Sequence, residues 1–192
     1  MELYVFLFDD YTALDAFGPV EVLSKVPDMK IRYISVGGGT VINKQEMQVM
    51  TDPTSVLIGA EPSEEKRLLL VPGGPGTRTL IHIEAFLQAL GEAMDAANYV
   101  LTVCTGSALA AGTGRLNGIH ATSNKNAFNW VVSCGPDVLW EKEPRWVVDG
   151  KYYTSAGISA GIDMALGFVA DMFDEALADK ICNILEYNWQ KN

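Results

Sequence analysis

Cysteine, histidine and positive charge are all scarce in this chain of 192 residues, which holds three Cys, two His, and 14 Lys plus Arg against 24 Asp plus Glu. The cysteines, Cys104, Cys134 and Cys182, are odd in number, widely scattered and without a C-x-x-C pair. That disfavours a disulfide framework and a zinc site, and it suits a reducing cytoplasm. Neither His82 nor His120 belongs to a ligand cluster, so no metal is expected. A formal net charge of −10 with no basic stripe repels phosphate backbones and anionic membranes, which excludes nucleic acid as an expected partner.

Long apolar runs are missing too, and none approaches the length that spans a bilayer. The N-terminal "MELYVFLFDDYTALD" has no cationic lead, so it reads as a strand and not as a signal peptide. There is no internal repeat, low-complexity stretch or linker, and residues 1–192 read as a single domain. The loop "PGGPGT" lacks the Gly-Lys-Ser/Thr ending of a phosphate loop, and "GTGRLNG" is no dinucleotide fingerprint. No cofactor is expected.

What is present is alternation. "LYVFLF" (Leu3 to Phe8), "KIRYISV", "LLLV" (Leu68 to Val71) and "YVLTV" are continuous apolar or β-rich runs of the buried-strand kind. Helical spacing separates them: "DAFGPVEVL" behind Asp15 with Pro19 early in the helix, and Phe86, Leu87, Leu90 and Met94 on one side of another. Gly37–Gly39 is expected to end the second strand, with a small hairpin or edge excursion after it. "TSNKNAFNWVVSCG" is expected to be a short helix capped by Thr122 or Ser123 and closed by Gly135. "RWVVDGKYYTSAG" reads as a hairpin turning at Asp149-Gly150, and two helices close the chain. Strands alternating with helices predict an α/β fold, a doubly wound, mostly parallel sheet with helices on both faces. In such a sheet functional groups gather at the carboxyl ends of the strands.

Three of those ends carry chemistry: the segment near Asp15, the "PGGPGT" loop, and Cys104. Cys104 follows "YVLTV" and precedes "TGSALAAG". A sharp strand-to-helix turn lifts its residue out of the core and needs small neighbours, which Gly106, Ser107, Ala108, Ala110 and Ala111 supply. The helix that begins there is expected to favour the thiolate; lowering a thiol pKa by ~2 units is worth about 2.7 kcal/mol. A plain core cysteine fits the same pattern. Asp15 likewise has two readings, a helix cap or a partner to the thiol. Cys134 and Cys182 read as packing residues.

"VCTGSALAAGTGRLNG", "LDAFGPVEVL", "VPGGPGT" and "SAGISAGIDMALGFVA" resemble, in order and over nearly the whole chain, the ThiJ/PfpI superfamily, flavodoxin-like relatives of class I glutamine amidotransferases. Within it the similarity is greatest to the isonitrile hydratase branch. The resemblance implies a flavodoxin-like fold with a nucleophile elbow, a homodimer, and a small-molecule electrophile as substrate. It implies Cys104 as nucleophile, Asp15 as general acid and base, and Thr105 as a further site residue. Substrate or oxyanion contacts would come from Gly73, Gly74, Gly76 and Ile158, with the Gly74 amide the foremost donor.

Two departures from the family pattern bear on the activity, the first on proteolysis and the second on the substrate. The peptidase-like branch carries histidine after its cysteine, and this chain has Thr105, so no Cys–His dyad forms there. Pro75 stands in the glycine loop and removes one possible N–H donor. The alternatives to an isocyanide hydratase are a redox or stress protein acting through Cys104, and a small-molecule sensor without catalysis.

Overall fold

The structure, a computed structural model, describes residues 1–61 and 64–191. Its centre is made of the runs whose sequence is apolar throughout: β1 (Glu2–Phe6), β5 (Arg67–Val71) and β6 (Tyr99–Val103). Apart from their first residues these strands are buried, which is why they show no polar alternation. To them are added β2 (Lys30–Ser35), β3 (Gly37–Ile42), β4 (Gln48–Pro53), β9 (Trp146–Asp149) and β10 (Tyr152–Ser155). The eight lie in the order β3-β4-β2-β1-β5-β6-β10-β9. All pairings from β4 to β10 are parallel, and the two outermost strands, β3 and β9, run antiparallel to their neighbours.

The helices form two layers. In one, α1 (Ala13–Leu23) packs on α7 (Ala160–Met172), and α7 on α8 (Glu175–Ile184). In the other, α5 (Gly106–Gly112) packs between α4 (Glu84–Ala96) and α6 (Phe128–Cys134), with the short α2 (Ser55–Ile58) and α3 (Thr77–Leu80) beside them. A separate two-stranded ladder joins β7 (His120–Ala121) to β8 (Leu139–Trp140). This is the α/β, mostly parallel, flavodoxin-like architecture the sequence predicts. Among the described residues no helix is long and apolar enough to cross a membrane, and no group of three His, Cys, Asp or Glu is placed to hold a metal.

Several boundaries differ from expectation. The triple glycine does not end β2 but opens β3, where Gly38 and Gly39 take φ of +70° and +88°. An edge strand tolerates such backbone, and at Gly38 a Cβ would lie 2.9 Å from the Pro53 nitrogen. The hairpin is there, but Asp149 pairs with Tyr152, so its two-residue loop is Gly150-Lys151. The helix expected from Thr122 begins only at Phe128, and Thr122 and Ser123 are buried loop residues that cap nothing. Asp15 lies within the first turn of α1 instead of ahead of it, with Thr12 in the N-cap position.

Candidate active site

Four neighbouring parallel strands, β1, β5, β6 and β10, end at one edge of the sheet, and each exit delivers part of a single cluster. After β1 comes Asp15, after β5 the Gly73–Gly74 turn, after β6 Cys104, and after β10 Gly157 and Ile158. Residues remote in sequence meet because parallel strands present the same end to solvent.

Cys104 sits at the strand-to-helix turn with φ of +57°, a left-handed conformation that costs a side-chain-bearing residue roughly 1 kcal/mol or more. The surroundings over-determine it. Its N–H is shared between the carbonyls of Ser155 and Ala156, at 3.2 and 3.3 Å. Its carbonyl accepts from the hydroxyls of Ser107 (3.0 Å) and Ser123 (2.9 Å). Gly106 is obligatory beside it, since a Cβ there would stand 2.4 Å from the Val71 carbonyl oxygen. Cys104 is buried, 8% exposed as a residue, and packs with the core at this turn.

Asp15 is fully shielded from solvent, and neither carboxylate oxygen completes a hydrogen bond within the protein. A capping role is therefore absent. The groups around it are the Cys104 thiol and the backbone amides of Gly73 and Ile158, which favour the ionised form, but burial outweighs them and raises its pKa to about 6. Ile158 reaches this position through a second strained backbone, φ of +53° at a β-branched residue.

The thiol departs from the expected thiolate. Burial first, and then the charge of Asp15, push Cys104 up to about 12; the Thr105 amide and the Asn124 side chain only partly offset them. The dipole of α5, seven residues long, is too small to overcome a dry site with a carboxylate inside it. The proton of the pair accordingly rests on sulfur at neutral pH, next to a base that is largely ionised.

The glycine loop and Thr105 form a clamp. The Gly74 N–H donates to Thr105 Oγ1 (3.0 Å), and Thr77 Oγ1 donates to the Gly74 carbonyl (2.7 Å) while lying 3.2 Å from Thr105 Oγ1. The Gly76 N–H donates to the Asp10 carbonyl (3.3 Å). The Gly74 and Gly76 amides are thus engaged in holding the loop instead of facing the cleft as oxyanion donors. Gly73 fills a junction where a Cβ would stand 2.6 Å from Thr105 N and 2.9 Å from Asp15 Oδ2. Of the residues singled out in the sequence, Cys104, Asp15, Thr105, Gly73, Gly74 and Ile158 come together, and Gly76 stands behind them.

Ser123, expected as a helix cap, and Asn124 stand at the site instead, although their segment has the pattern of a helix start. Asn124 Oδ1 accepts from the Ala127 N–H (3.0 Å), and its amide nitrogen packs where a Gly157 Cβ would lie, 2.3 Å away. Asp163, in the "AGID" motif, is a buried hub. Its Oδ2 accepts from Arg145 Nε (3.0 Å) and Nη2, and its Oδ1 from Tyr187 Oη (3.1 Å) and the Gln190 N–H (2.9 Å). Only the repeated small-residue spacing of "SAGISAGID" hinted at it.

The sequence model of the DJ-1/PfpI family matches residues 1–171. The isonitrile hydratase of Pseudomonas putida is 29% identical over 187 residues, covering 97% of this chain and 78% of that one. A THiJ/PfpI family protein from Pseudomonas syringae superposes with a TM-score of 0.84 at 24% identity, over 99% of this chain and 76% of that chain. Drosophila melanogaster DJ-1beta superposes with a TM-score of 0.81 at 16% identity, over 98% of both. At those identities the two structures establish the fold.

Proposed function

Because this chain belongs to the DJ-1/PfpI family, we propose that it is a cysteine-dependent enzyme of the isonitrile hydratase kind, converting an isocyanide and water to an N-substituted formamide. The observation that carries this reading is the pair itself: a protonated thiol beside a cleft, against a buried carboxylate whose two oxygens complete no hydrogen bond and whose neighbours are that thiol and the Gly73 and Ile158 amides. A thiol held near 12 does not ionise into solvent. Its proton leaves only as a bond forms at sulfur, and Asp15 is the acceptor in reach.

In the first step Cys104 Sγ bonds to the terminal isocyanide carbon, Asp15 takes the thiol proton and returns it to that carbon, and a thioimidate results. In the second, Asp15 draws a proton from water as its oxygen adds to the same carbon, and the imine nitrogen gains a proton. The C–S bond then breaks, the hydroxyl proton passes back by way of Asp15 to sulfur, and the formamide leaves with the thiol restored. One water is consumed per isocyanide. Thr105 positions the Gly73–Gly74 loop against the acid, and Ile158 and Gly73 supply the amides nearest it.

The raised thiol weighs against oxidant sensing, which depends on an exposed thiolate. Family membership supports a homodimer as well, and the exposed Leu14 and Ile158, 46% accessible each and adjacent to the site, are apolar groups such an interface would cover. Incubation of the purified protein with an alkyl isocyanide tests the activity. The infrared isocyanide band should disappear with equimolar N-formyl product, and should persist with Cys104→Ala; persistence with the unaltered protein would overturn the proposal.

A further inference from the structure

Beside Cys104 lies a cleft of ≈ 310 Å³ lined by Asn124, Lys125, Asn126, Arg145, Gly157 and Ile158. Its floor borders the thiol: a Cβ built on Gly157 would stand 3.8 Å from Cys104 Sγ. Ala156 and Ile158 make part of the wall apolar, and the polar groups on it are cationic and amidic, with no acid among them, in a chain whose net charge is −10.

Lys125 is the unusual member. Its ammonium donates to the Thr122 hydroxyl (3.0 Å) and the Pro144 carbonyl (2.6 Å), both neutral. No carboxylate of the described residues lies within ion-pair distance of it, so one N–H and the whole positive charge lack a partner. Burial accordingly lowers its pKa, against the longer-range pull of Glu143. Arg145 is already committed through Nε and Nη2 to Asp163, which fixes its guanidinium at the cleft and leaves Nη1 without an acceptor among the described residues. A partly desolvated, unpaired cation beside a reactive group favours an anion that arrives with the substrate.

We propose that this cleft takes the carboxylate of a small acidic substrate, an isocyano acid, with Lys125 as the specificity-determining residue. The proposal rests on Cys104 being the group that reacts. A carboxylate held by Lys125 places the other end of a short molecule at the sulfur.

Two alkylating agents of nearly equal size, one anionic and one neutral, read this out without hydratase activity. Sulfur displaces iodide from iodoacetate or from iodoacetamide, and the thiol proton passes to Asp15. With rates taken at Cys104 by peptide mass mapping, Lys125→Met should lower the iodoacetate-to-iodoacetamide ratio about tenfold, the scale of one charged hydrogen bond. Lys125→Arg should keep most of the ratio. An unchanged ratio in Lys125→Met, or equal losses with both reagents, would overturn the proposal. In parallel, the kcat/KM ratio of isocyanoacetate to its methyl ester should fall by a similar factor in Lys125→Met. If no isocyanide is consumed while the alkylation ratio still depends on Lys125, the hydratase reading fails and the anion site stands. If isocyanides are consumed and neither ratio responds, the anion site alone fails.

Discussion

The Asp15 carboxylate and the Cys104 thiol lie against each other, the acid completely buried and the cysteine 8% exposed, so that the acid's charge raises the thiol pKa while the thiol's hydrogen bond offsets part of the burial that raises the acid's. Neither ionises as it would alone, and the consequences are measurable.

Replacing Asp15 by Asn removes the negative charge while keeping the shape. The thiol pKa should fall below about 12, because the second-largest cause of its elevation is gone. The pH midpoint of Cys104 alkylation by iodoacetamide should then move down, while isocyanide turnover falls by about 10²–10⁴ through loss of the acid–base group. A lowered midpoint together with lost turnover distinguishes a catalytic carboxylate from a merely structural one.

The pH dependence of stability follows from the same acid. Its folded pKa, about 6, exceeds the ordinary 3.8, so the folded state binds the proton more tightly than the unfolded chain. Stability from this group is therefore gained as pH falls through 6 toward 4 and lost as pH rises through that window, by at most about 3 kcal/mol. Urea unfolding of wild type minus Asp15→Asn, followed from pH 7.5 to 4.5, should show that slope. The acid limb of kcat/KM should have an apparent pKa near 6, where the base becomes protonated.

Gly73→Ala should be damaging out of proportion to one methyl group. The added carbon meets the Thr105 amide and Asp15 Oδ2 at once, both of them fixed. A loss of about 1–3 kcal/mol in urea unfolding is expected from overpacking, with activity falling further because the acid is displaced.

Thr105→Val strands the Gly74 N–H inside the clamp, whereas Thr105→Ser keeps the acceptor. The valine variant should lose about 1–3 kcal/mol and most of its turnover, and the serine variant should recover the greater part of both. Thermal midpoints and kcat for the two variants check this.

Asp163→Ala should cost about 3 kcal/mol or more by leaving Arg145 unpaired and freeing Tyr187 and Gln190. Coupling between Arg145→Met and Asp163→Leu, measured as a double-mutant cycle in urea, should restore part of the loss in the double variant.

The central sheet was legible from short-range pattern alone. "LYVFLF", "LLLV" and "YVLTV" have to be buried on both faces because they offer no polar face, and their alternation with helical spacing leaves few parallel arrangements. The elbow at Cys104 was legible for a similar reason, since only a crowded turn requires Gly106 and its small neighbours in succession. These features depend on residues a few positions apart, and sequence records them directly.

The protonation of the site is another matter. Whether Asp15 capped α1 or met the thiol, whether the Gly74 amide faced a substrate or Thr105, and whether Ser123 began a helix or held the Cys104 carbonyl were decided by segments that touch only when β1, β5, β6 and β10 align. So was the sign of the thiol's shift. A local helix dipole argues for thiolate, but desolvation and a buried charge from the far end of the chain act at a few ångströms in a dry cleft, where they are strongest.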